Sequence, residues 1–370
     1  MISRGMSLQL VTEALQPDAG GNLAAARRRS VADWTAPLIF ANENLVGPAM
    51  YASLTAADRL NEVPDDVAEY LAFLHQHNQD RNAVVRAQGL ELLAALRGAG
   101  VETMVLKGVH SLLRGLYPDS GARMVRDIDI LIHRDVLKPA LVTLETLGYA
   151  VVTQYLPDQH AYAEFGREGD PSAVDLHLEI VDVPHLFSAR DVWPRAQPME
   201  VDGVTFRVPS ATDAFLHHLI HAQVHYRGGY FWGALELRQV VEFATLVRQL
   251  GSEIDWNEVT RRFAEQGLET ALQSYALVAE RLLALPWPLP ALPTMAARLH
   301  AQRCFAQLRW PMLYTALSPW SNLRAAFAQH RLRAMYPMVE GELQRCVRHA
   351  TQFFLKSRPQ SLVQRLLRER

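Results

Sequence analysis

The 370-residue sequence has little cysteine and no excess of charge of one sign. Its two cysteines, Cys304 and Cys346, form no Cys-x-x-Cys pair and cannot build a disulfide framework, which favours a reducing cytoplasm as the location. Lys and Arg number 37 and Asp and Glu 39, which gives a formal net charge of -2. This balance argues against a surface coated in positive charge for non-specific nucleic-acid binding, although a local basic site remains compatible with it.

Long apolar runs are also absent. No stretch approaches the ~20 consecutive apolar residues that span a bilayer, so we expect no membrane span. The segment from Met1 to Gln9 lacks the apolar core of a secretory signal, so we expect no signal peptide. These absences favour a globular chain with ample apolar material, 49% of its residues, for a core.

Three regions with different patterns follow one another. We expect a helical region over residues 1–100, loosely ordered up to about residue 30, with a long helix from Asn82 to Leu96 that stops at the glycines after it. Residues 101–210 alternate short β-rich runs with helices, and residues 211–370 are helical again. Predicted strands run from Val101 to Leu106, Met124 to Ile132, Tyr149 to Thr153, Tyr162 to Phe165, Ala173 to Ile180 and Val204 to Val208. The order predicts an α+β fold, a mixed sheet flanked by N-terminal and C-terminal helical regions.

Two aspartates at alternate positions mark the second β-rich run. On a strand, Asp127 and Asp129 share one face, while Ile128 and Ile130 point into the core. Two carboxylates on one face repel each other unless a cation joins them, and Mg²⁺ prefers oxygen ligands. Taken alone, the pair is a weak signal, and two solvated acids on an exposed strand face would be the favoured alternative.

Other charged residues flank this pair in sequence. Lys107 and Gly108 follow a strand and open a helix, where backbone N–H groups bind phosphate oxygens and a lysine adds positive charge. Asp175 lies on a later strand, and three carboxylates from two strands suit a two-metal site. His177 shares the face of Asp175 and is a candidate to orient a phosphate or the acid, with a structural role as the alternative.

The segments LKGVHSLLRGLYPDSGARMVRDIDILI, LETLGY and VDLH, in this order, resemble the uncharacterised bacterial nucleotidyltransferase family of the polymerase-beta-like superfamily. The resemblance runs from about Trp34 to Leu246. It implies the nucleotidyltransferase fold and Mg²⁺-dependent transfer of NMP from an NTP to an acceptor hydroxyl with release of pyrophosphate, with Mn²⁺ as the alternative metal.

The resemblance also implies a role for each matching residue. Lys107, Gly108 and Arg123 match nucleotide-binding positions, Arg123 as a phosphate or metal-ligand partner; Asp127, Asp129 and Asp175 match the catalytic metal ligands.

Four positions depart from the family pattern, and one of them is Arg126, which stands where a small or polar residue is commoner. Val109 replaces the usual serine after the glycine, and Leu178 replaces a tryptophan. Glu242, the acid nearest to the family's later-helix acid, is out of register.

Two further features are weaker signals. His217, His221 and His225 recur at helical spacing, which is compatible with zinc, with nucleotide contacts or with structural histidines. Arg227, in the loop from Tyr226 to Gly233, is a candidate nucleotide contact among aromatic residues, and a plain inter-helix loop is the alternative.

Two questions stay open from the sequence. The acceptor is a small molecule, a peptide or RNA, with a small molecule or peptide slightly favoured by the resemblance and tRNA as another candidate. The alternative function is a catalytically silent nucleotide-binding or scaffold protein with the same fold.

Overall fold

A computed structural model of the chain describes residues 3–16, 23, 30–156, 159–225 and 228–355. The chain divides into two compact units. The first comprises Met1–His218, Glu236–Ile254 and Ala279–Pro286, and the second comprises Leu219–Leu235, Asp255–Val278 and Trp287–Arg370. The three regions expected from the sequence, 1–100, 101–210 and 211–370, stay a prediction.

The centre of the first unit is a seven-stranded mixed sheet. Its strands are β1 Thr103–Val105, β2 Asp127–Ile132, β3 Ala150–Gln154, β4 Ala161–Gly166, β5 Ala173–His177, β6 Gln197–Val201 and β7 Val204–Val208. The spatial order is β3-β4-β5-β2-β1-β7-β6, in which the pairs β2–β5 and β1–β7 are parallel and the others antiparallel. The predicted α+β class is confirmed.

Strand β6 is the strand that the sequence pattern did not indicate. It lies at the edge of the sheet, is mostly exposed and contains Pro198. An edge strand needs no apolar face and tolerates proline, so it lacks the alternating pattern that reveals a buried strand.

Helices accompany the sheet in the first unit, and other helices make up the second unit. They are α1 Arg4–Ala14, α2 Val31–Glu43, α3 Gly47–Ala56, α4 Asp65–Gly98, α5 Lys107–Arg114, α6 Leu137–Thr146, α7 Ala189–Val192, α8 Ala211–Gln223, α9 Gly229–Trp232, α10 Leu237–Leu250, α11 Trp256–Glu265, α12 Glu269–Leu283, α13 Met295–Arg309, α14 Met312–Ala326, α15 Gln329–Met335 and α16 Glu342–Ala350. Among the described residues, no helix is long and apolar enough to cross a lipid bilayer.

The expectation of loose order near the N-terminus is wrong for residues 4–14, which form helix α1. Leu10, Val11 and Ala14 are buried, so burial of one apolar face stabilises a helix whose sequence signal is weak. The turn cluster at 18–22 and the arginine run at 27–29 lie outside the described residues.

Helix α4 is 34 residues long, about twice the length that the sequence pattern indicated. It begins directly after Pro64, with Asp65 and Asp66 in its first turn, where negative charge favours a helix start. It ends at Gly98, and Gly100 adopts the left-handed conformation, φ 75°, that reverses the chain toward β1.

The apolar face of the central strands fixes where the acidic face points. Ile128 and Ile130 of β2 and Val174 and Leu176 of β5 are all at most 1% exposed and share one core cluster with the apolar face of α4. Fully burying such side chains stabilises the fold by about 1.5–3 kcal/mol each. Because side chains alternate along a strand, the intervening residues of β2 and β5 face the other side of the sheet together.

Candidate active site

The site begins with the register of two neighbouring parallel strands. Asp129 of β2 pairs with Asp175 of β5, and Asp127 lies two residues before Asp129 on the same face. His177 Nε2 lies between the acids, 3.0 Å from Asp129 Oδ1 and 3.1 Å from Asp175 Oδ2. The structure therefore brings together three acids and one histidine that the sequence singled out.

Lys107 reaches the same acids from the start of helix α5. Its Nζ donates a hydrogen bond to Asp129 Oδ1 at 2.6 Å, and the preceding Leu106 N–H donates to the Asp129 carbonyl at 3.0 Å. Lys107 has a positive φ of 47°, which costs a non-glycine residue of order 1 kcal/mol or more. The ion pair with a buried carboxylate offsets this strain, so the turn is held by the acid that it faces.

The charges of these groups depend on one another. Burial raises the pKa of Asp129, but Lys107 and His177 outweigh burial and hold it below its ordinary value, so Asp129 is ionised. The negative charge of Asp129, followed by burial, raises the pKa of Asp127. Burial and Lys107 lower the pKa of His177, yet its hydrogen bonds to Asp129 and Asp175 raise it to about 9. At neutral pH two cationic side chains thus compensate the carboxylate cluster.

Two carboxylate oxygens of the cluster are available to bind a cation. Asp129 Oδ2 and Asp175 Oδ1 are buried and have no hydrogen-bonding partner among the described residues. Buried carboxylate oxygens without partners are costly, and a divalent cation with oxygen ligands removes that cost. Asp127 is half-buried at the same face. Asp129 and Asp175 therefore each leave one carboxylate oxygen for a cation, and the ligand set of Asp127, Asp129 and Asp175 stays a prediction.

A second, mixed set of ligand atoms overlaps the first. One ligand atom each from His160, Asp175 and His177 lies within 4.8 Å of the others. His160 is oriented by Asp182, whose Oδ1 lies 2.5 Å from His160 Nδ1. Histidine nitrogen suits Zn²⁺ better than Mg²⁺ or Mn²⁺, which prefer oxygen ligands. The chemistry of the cluster is thus compatible with more than one divalent metal.

Gly108 and Arg123, which the sequence predicts as separate nucleotide contacts, pack against each other. A Cβ at Gly108 would lie 2.5 Å from Arg123 Nη1, so the guanidinium lies against the turn where a side chain would be. Arg123 Nε donates to Glu242 Oε2, which also accepts from Tyr117 Oη at 2.8 Å, while Glu242 Oε1 accepts from Ser111 Oγ at 2.7 Å. The glycine is needed here for close packing of a buried ion pair.

Glu242 was considered in the sequence only as an acid out of register. In the structure it is 5% exposed on helix α10 and is the ionic partner of Arg123. In the sequence, Glu242 stands between Val240 and Phe243, two apolar residues on the buried side of the same helix. This position is the one sequence signal that could have indicated a buried acid. The prediction that Arg123 contacts a phosphate or metal ligand stays a prediction beside this structural role.

Helix α4 carries a residue that the sequence reasoning missed. Arg81 donates to the carbonyl oxygens of Val125 and Pro171, the latter at 2.9 Å, and to Ser172 Oγ at 3.0 Å. These acceptors directly precede β2 and β5, so one guanidinium joins the ends of the two strands that carry the acids. Only the folded chain reveals this role, because the contacts span 44 and 90 residues.

Two asparagines of the same helix hold the loop before β2. Asn82 Nδ2 donates to the carbonyl oxygens of Ser120 and Arg123, both at 2.7 Å. Asn78 Nδ2 donates to Gly121 at 2.6 Å and Arg123 at 3.0 Å. The polar face of α4 therefore positions the segment that delivers Arg123 and the acidic strand.

The three histidines predicted at helical spacing lie in helix α8 or just after it. His217 is buried in α8, whereas His225 follows the end of that helix at Gln223. The rings of His221 and His225 stack with centroids 5.1 Å apart. Arg227 lies outside the described residues. Metal or nucleotide roles for these side chains stay predictions.

Residues 30–284 match the family described as uncharacterised nucleotidyltransferase, and the chain belongs to this family. Among solved structures, the chain is similar to the antibiotic-resistance factor ANT(2'')-Ia, with 14% sequence identity and a TM-score of 0.34, over 54% of this chain and 95% of that one. The chain has no significant match among curated protein sequences.

Proposed function

We propose that the chain transfers NMP from an NTP to an acceptor hydroxyl and releases pyrophosphate, in a reaction that depends on a divalent metal. One observation carries the proposal: Asp129 and Asp175 stand side by side on parallel strands, each with a buried carboxylate oxygen that lacks a partner among the described residues. Family membership supports nucleotidyl transfer as the chemistry.

The metal ligands of the proposal are Asp127, Asp129 and Asp175, with Mg²⁺ first and Mn²⁺ second as the metal. When bound, the metal neutralises triphosphate charge and favours ionisation of a hydroxyl. Lys107 supplies a further positive charge for the triphosphate from the start of α5. Nucleotide contacts by Gly108, Arg123, His177 and Arg227 are part of the same proposal.

The acceptor oxygen forms a bond to the α-phosphorus, the bond from that phosphorus to the β-phosphate oxygen breaks, and pyrophosphate leaves. The proton of the acceptor hydroxyl passes to solvent, and Asp175, whose Oδ2 is engaged by His177, would hold through Oδ1 the metal that favours this ionisation. Rate acceleration comes chiefly from positioning and from fixed charge.

The acceptor in the proposal is a small molecule or a peptide in preference to tRNA. A formal net charge of -2 gives the chain no general attraction for a polyanion. Binding of a tRNA would then require a local basic surface, and its affinity would fall steeply with added salt.

A second function is favoured by one observation. Lys107 and His177 both contact Asp129 Oδ1 and compensate its charge, as expected of a catalytically silent nucleotide-binding or scaffold protein. Calorimetry with each NTP, with and without Mg²⁺, separates the two functions. A silent scaffold binds no triphosphate in a metal-dependent manner, whereas the transferase does.

The roles of the three acids are tested by titrating a non-hydrolysable NTP analogue into variants. We expect Asp127→Asn and Asp129→Asn to lose Mg²⁺-dependent binding by about tenfold or more, because these acids hold the metal that carries the triphosphate. Asp175→Asn is expected to retain analogue binding and to lose transfer, since its role lies in the chemical step.

Asp202→Asn is the matched control for these variants. Asp202 is an exposed acid with a positive φ of 51°, a conformation that asparagine also adopts readily. Its substitution should leave analogue binding unchanged. Loss of analogue binding in Asp175→Asn as complete as in Asp127→Asn would contradict the division of roles.

A further inference from the structure

The second unit contains a pocket that the proposed chemistry does not use. It has a volume of about 440 Å³ and lies among helices α9, α13 and α14. Its polar lining includes His300, Arg303 and Arg324. No acid lines it among the described residues, so its charge is positive.

The two arginines have neutral partners. Arg303 donates to Gln307 Oε1 at 2.8 Å and to Ser321 Oγ at 2.6 Å, and Arg324 donates to Tyr230 Oη at 3.3 Å. Neither forms an ion pair with an acid in the described part of the chain. Burial first, and then repulsion from Arg324, lowers the pKa of Arg303. Two guanidinium groups held together without an acid are unfavourable, and a bound anion would remove that cost.

A buried histidine gives a second, independent indication of a ligand. His300 is 7% exposed, and its Nε2 has no hydrogen-bonding partner among the described residues. Burial, Arg303 and Arg324 lower its pKa to about 3, so the ring is neutral at pH 7 and can donate from Nε2 in one tautomer. A buried polar atom without a partner is costly, and His300 is one of the residues that line the pocket.

The remaining lining is apolar and accessible. Leu299 is 64% exposed and Trp320 is 58% exposed, although both are large apolar side chains. Tyr230 lies beneath Arg324, with the guanidinium carbon 5.4 Å from its ring centroid. The cation–π contact and the hydrogen bond to Tyr230 Oη orient that guanidinium, which lines the pocket.

We propose that this pocket binds an organic anion whose oxyanion head group lies between Arg303 and Arg324 and whose apolar body covers Leu299 and Trp320. A carboxylate and a phosphate monoester both supply this head group. The proposal does not depend on nucleotidyl transfer, because every residue that carries it belongs to the second unit.

The test measures binding of four probes to the full chain by calorimetry, without NTP or divalent metal. The probes are 3-phenylpropionate, phenyl phosphate, inorganic phosphate and the neutral 3-phenylpropanol. We expect at least one of the two aromatic anions to bind about tenfold or more tightly than inorganic phosphate and the alcohol. Which of the two binds more tightly distinguishes a carboxylate ligand from a phosphate ligand. Inorganic phosphate that binds as tightly as both aromatic anions would overturn the proposal.

Variants localise the binding. Arg303→Gln and Arg324→Gln are each expected to weaken the aromatic anion by about tenfold or more, whereas Arg261→Gln in the same unit, exposed and paired with Glu258 and Glu265, should not. Trp320→Ala removes an exposed side chain without opening the core, so it keeps the test decisive if an arginine variant fails to fold. We expect Trp320→Ala to weaken binding of the aromatic anions and to leave binding of inorganic phosphate unchanged.

Lys107→Met separates this site from the candidate active site. It should leave binding of the aromatic anion unchanged. Equal binding by Arg303→Gln, Arg324→Gln and Arg261→Gln, or loss of binding in Lys107→Met, would overturn the assignment to this pocket.

Discussion

The buried ion pair between Arg123 and Glu242 gives the sharpest stability prediction. Glu242 accepts hydrogen bonds from Ser111, Tyr117 and Arg123, so one carboxylate ties helix α10 to α5 and to the loop before β2. Glu242→Gln keeps the shape of the side chain and removes its charge. Arg123 then remains buried without an ionic partner.

Two estimates of the cost agree. Burial raises the pKa of Glu242, but Arg123 and His218 outweigh burial and lower it from 4.5 to about 2, a shift equivalent to about 3 kcal/mol. Removing one partner of a buried ion pair costs about 3–5 kcal/mol. Because the folded-state pKa is lowered, this stabilisation is present above pH 4.5 and is lost as the pH falls toward 2.

Urea unfolding at neutral pH provides the measurement, with Glu265→Gln as the matched control. Glu265 and its partner Arg261 are each 54% exposed, so that ion pair contributes about 1 kcal/mol or less. We expect Glu242→Gln to lower the free energy of unfolding by about 3 kcal/mol and the control to change it little. The double variant Arg123→Met, Glu242→Leu should lose less than the sum of its single variants. Equal small losses in Glu242→Gln and the control would refute this reasoning.

Two further predictions concern glycine and histidine. Gly108→Ala places a Cβ against Arg123 and should weaken binding of the NTP analogue, and unchanged binding in a titration would contradict this. Gly89→Ala inside α4 places its Cβ at an ordinary 3.5 Å from Val109 and should stabilise the chain by about 0.5–1 kcal/mol, and a lower stability in thermal unfolding would contradict this. Burial and then Arg114 lower the pKa of His110 from 6.5 to about 4. Between these pH values His110 is protonated in the unfolded chain and neutral in the folded chain, so the free energy of unfolding falls as the pH drops from 6.5 toward 4. His110→Gln should flatten the pH dependence of the unfolding free energy in that interval, and an unchanged slope would refute the assignment.

The sequence by itself determined the local elements that carry the acids. Alternation around Asp127 and Asp129 predicts a strand with one acidic and one apolar face, and the structure has that strand at Asp127–Ile132. The predicted strand from Val204 to Val208 has the observed bounds. Lys107 and Gly108 open a helix after a strand, as their order indicates. These features follow from side-chain periodicity and helix-end chemistry, which act over a few neighbouring residues.

Tertiary structure alone decided which distant residues complete the site. Glu242 reaches Arg123 across 119 residues, Arg81 reaches Pro171 across 90, and His177 lies between two acids of different strands. Such partners depend on strand register and helix packing, and no local pattern encodes them. The same holds for Arg303 and Arg324, which are unremarkable helical arginines in the sequence and become an uncompensated pair only where α13 and α14 line one pocket. Chain folding brings these charges together, and their chemistry follows from that proximity because electrostatic interactions depend on distance and burial.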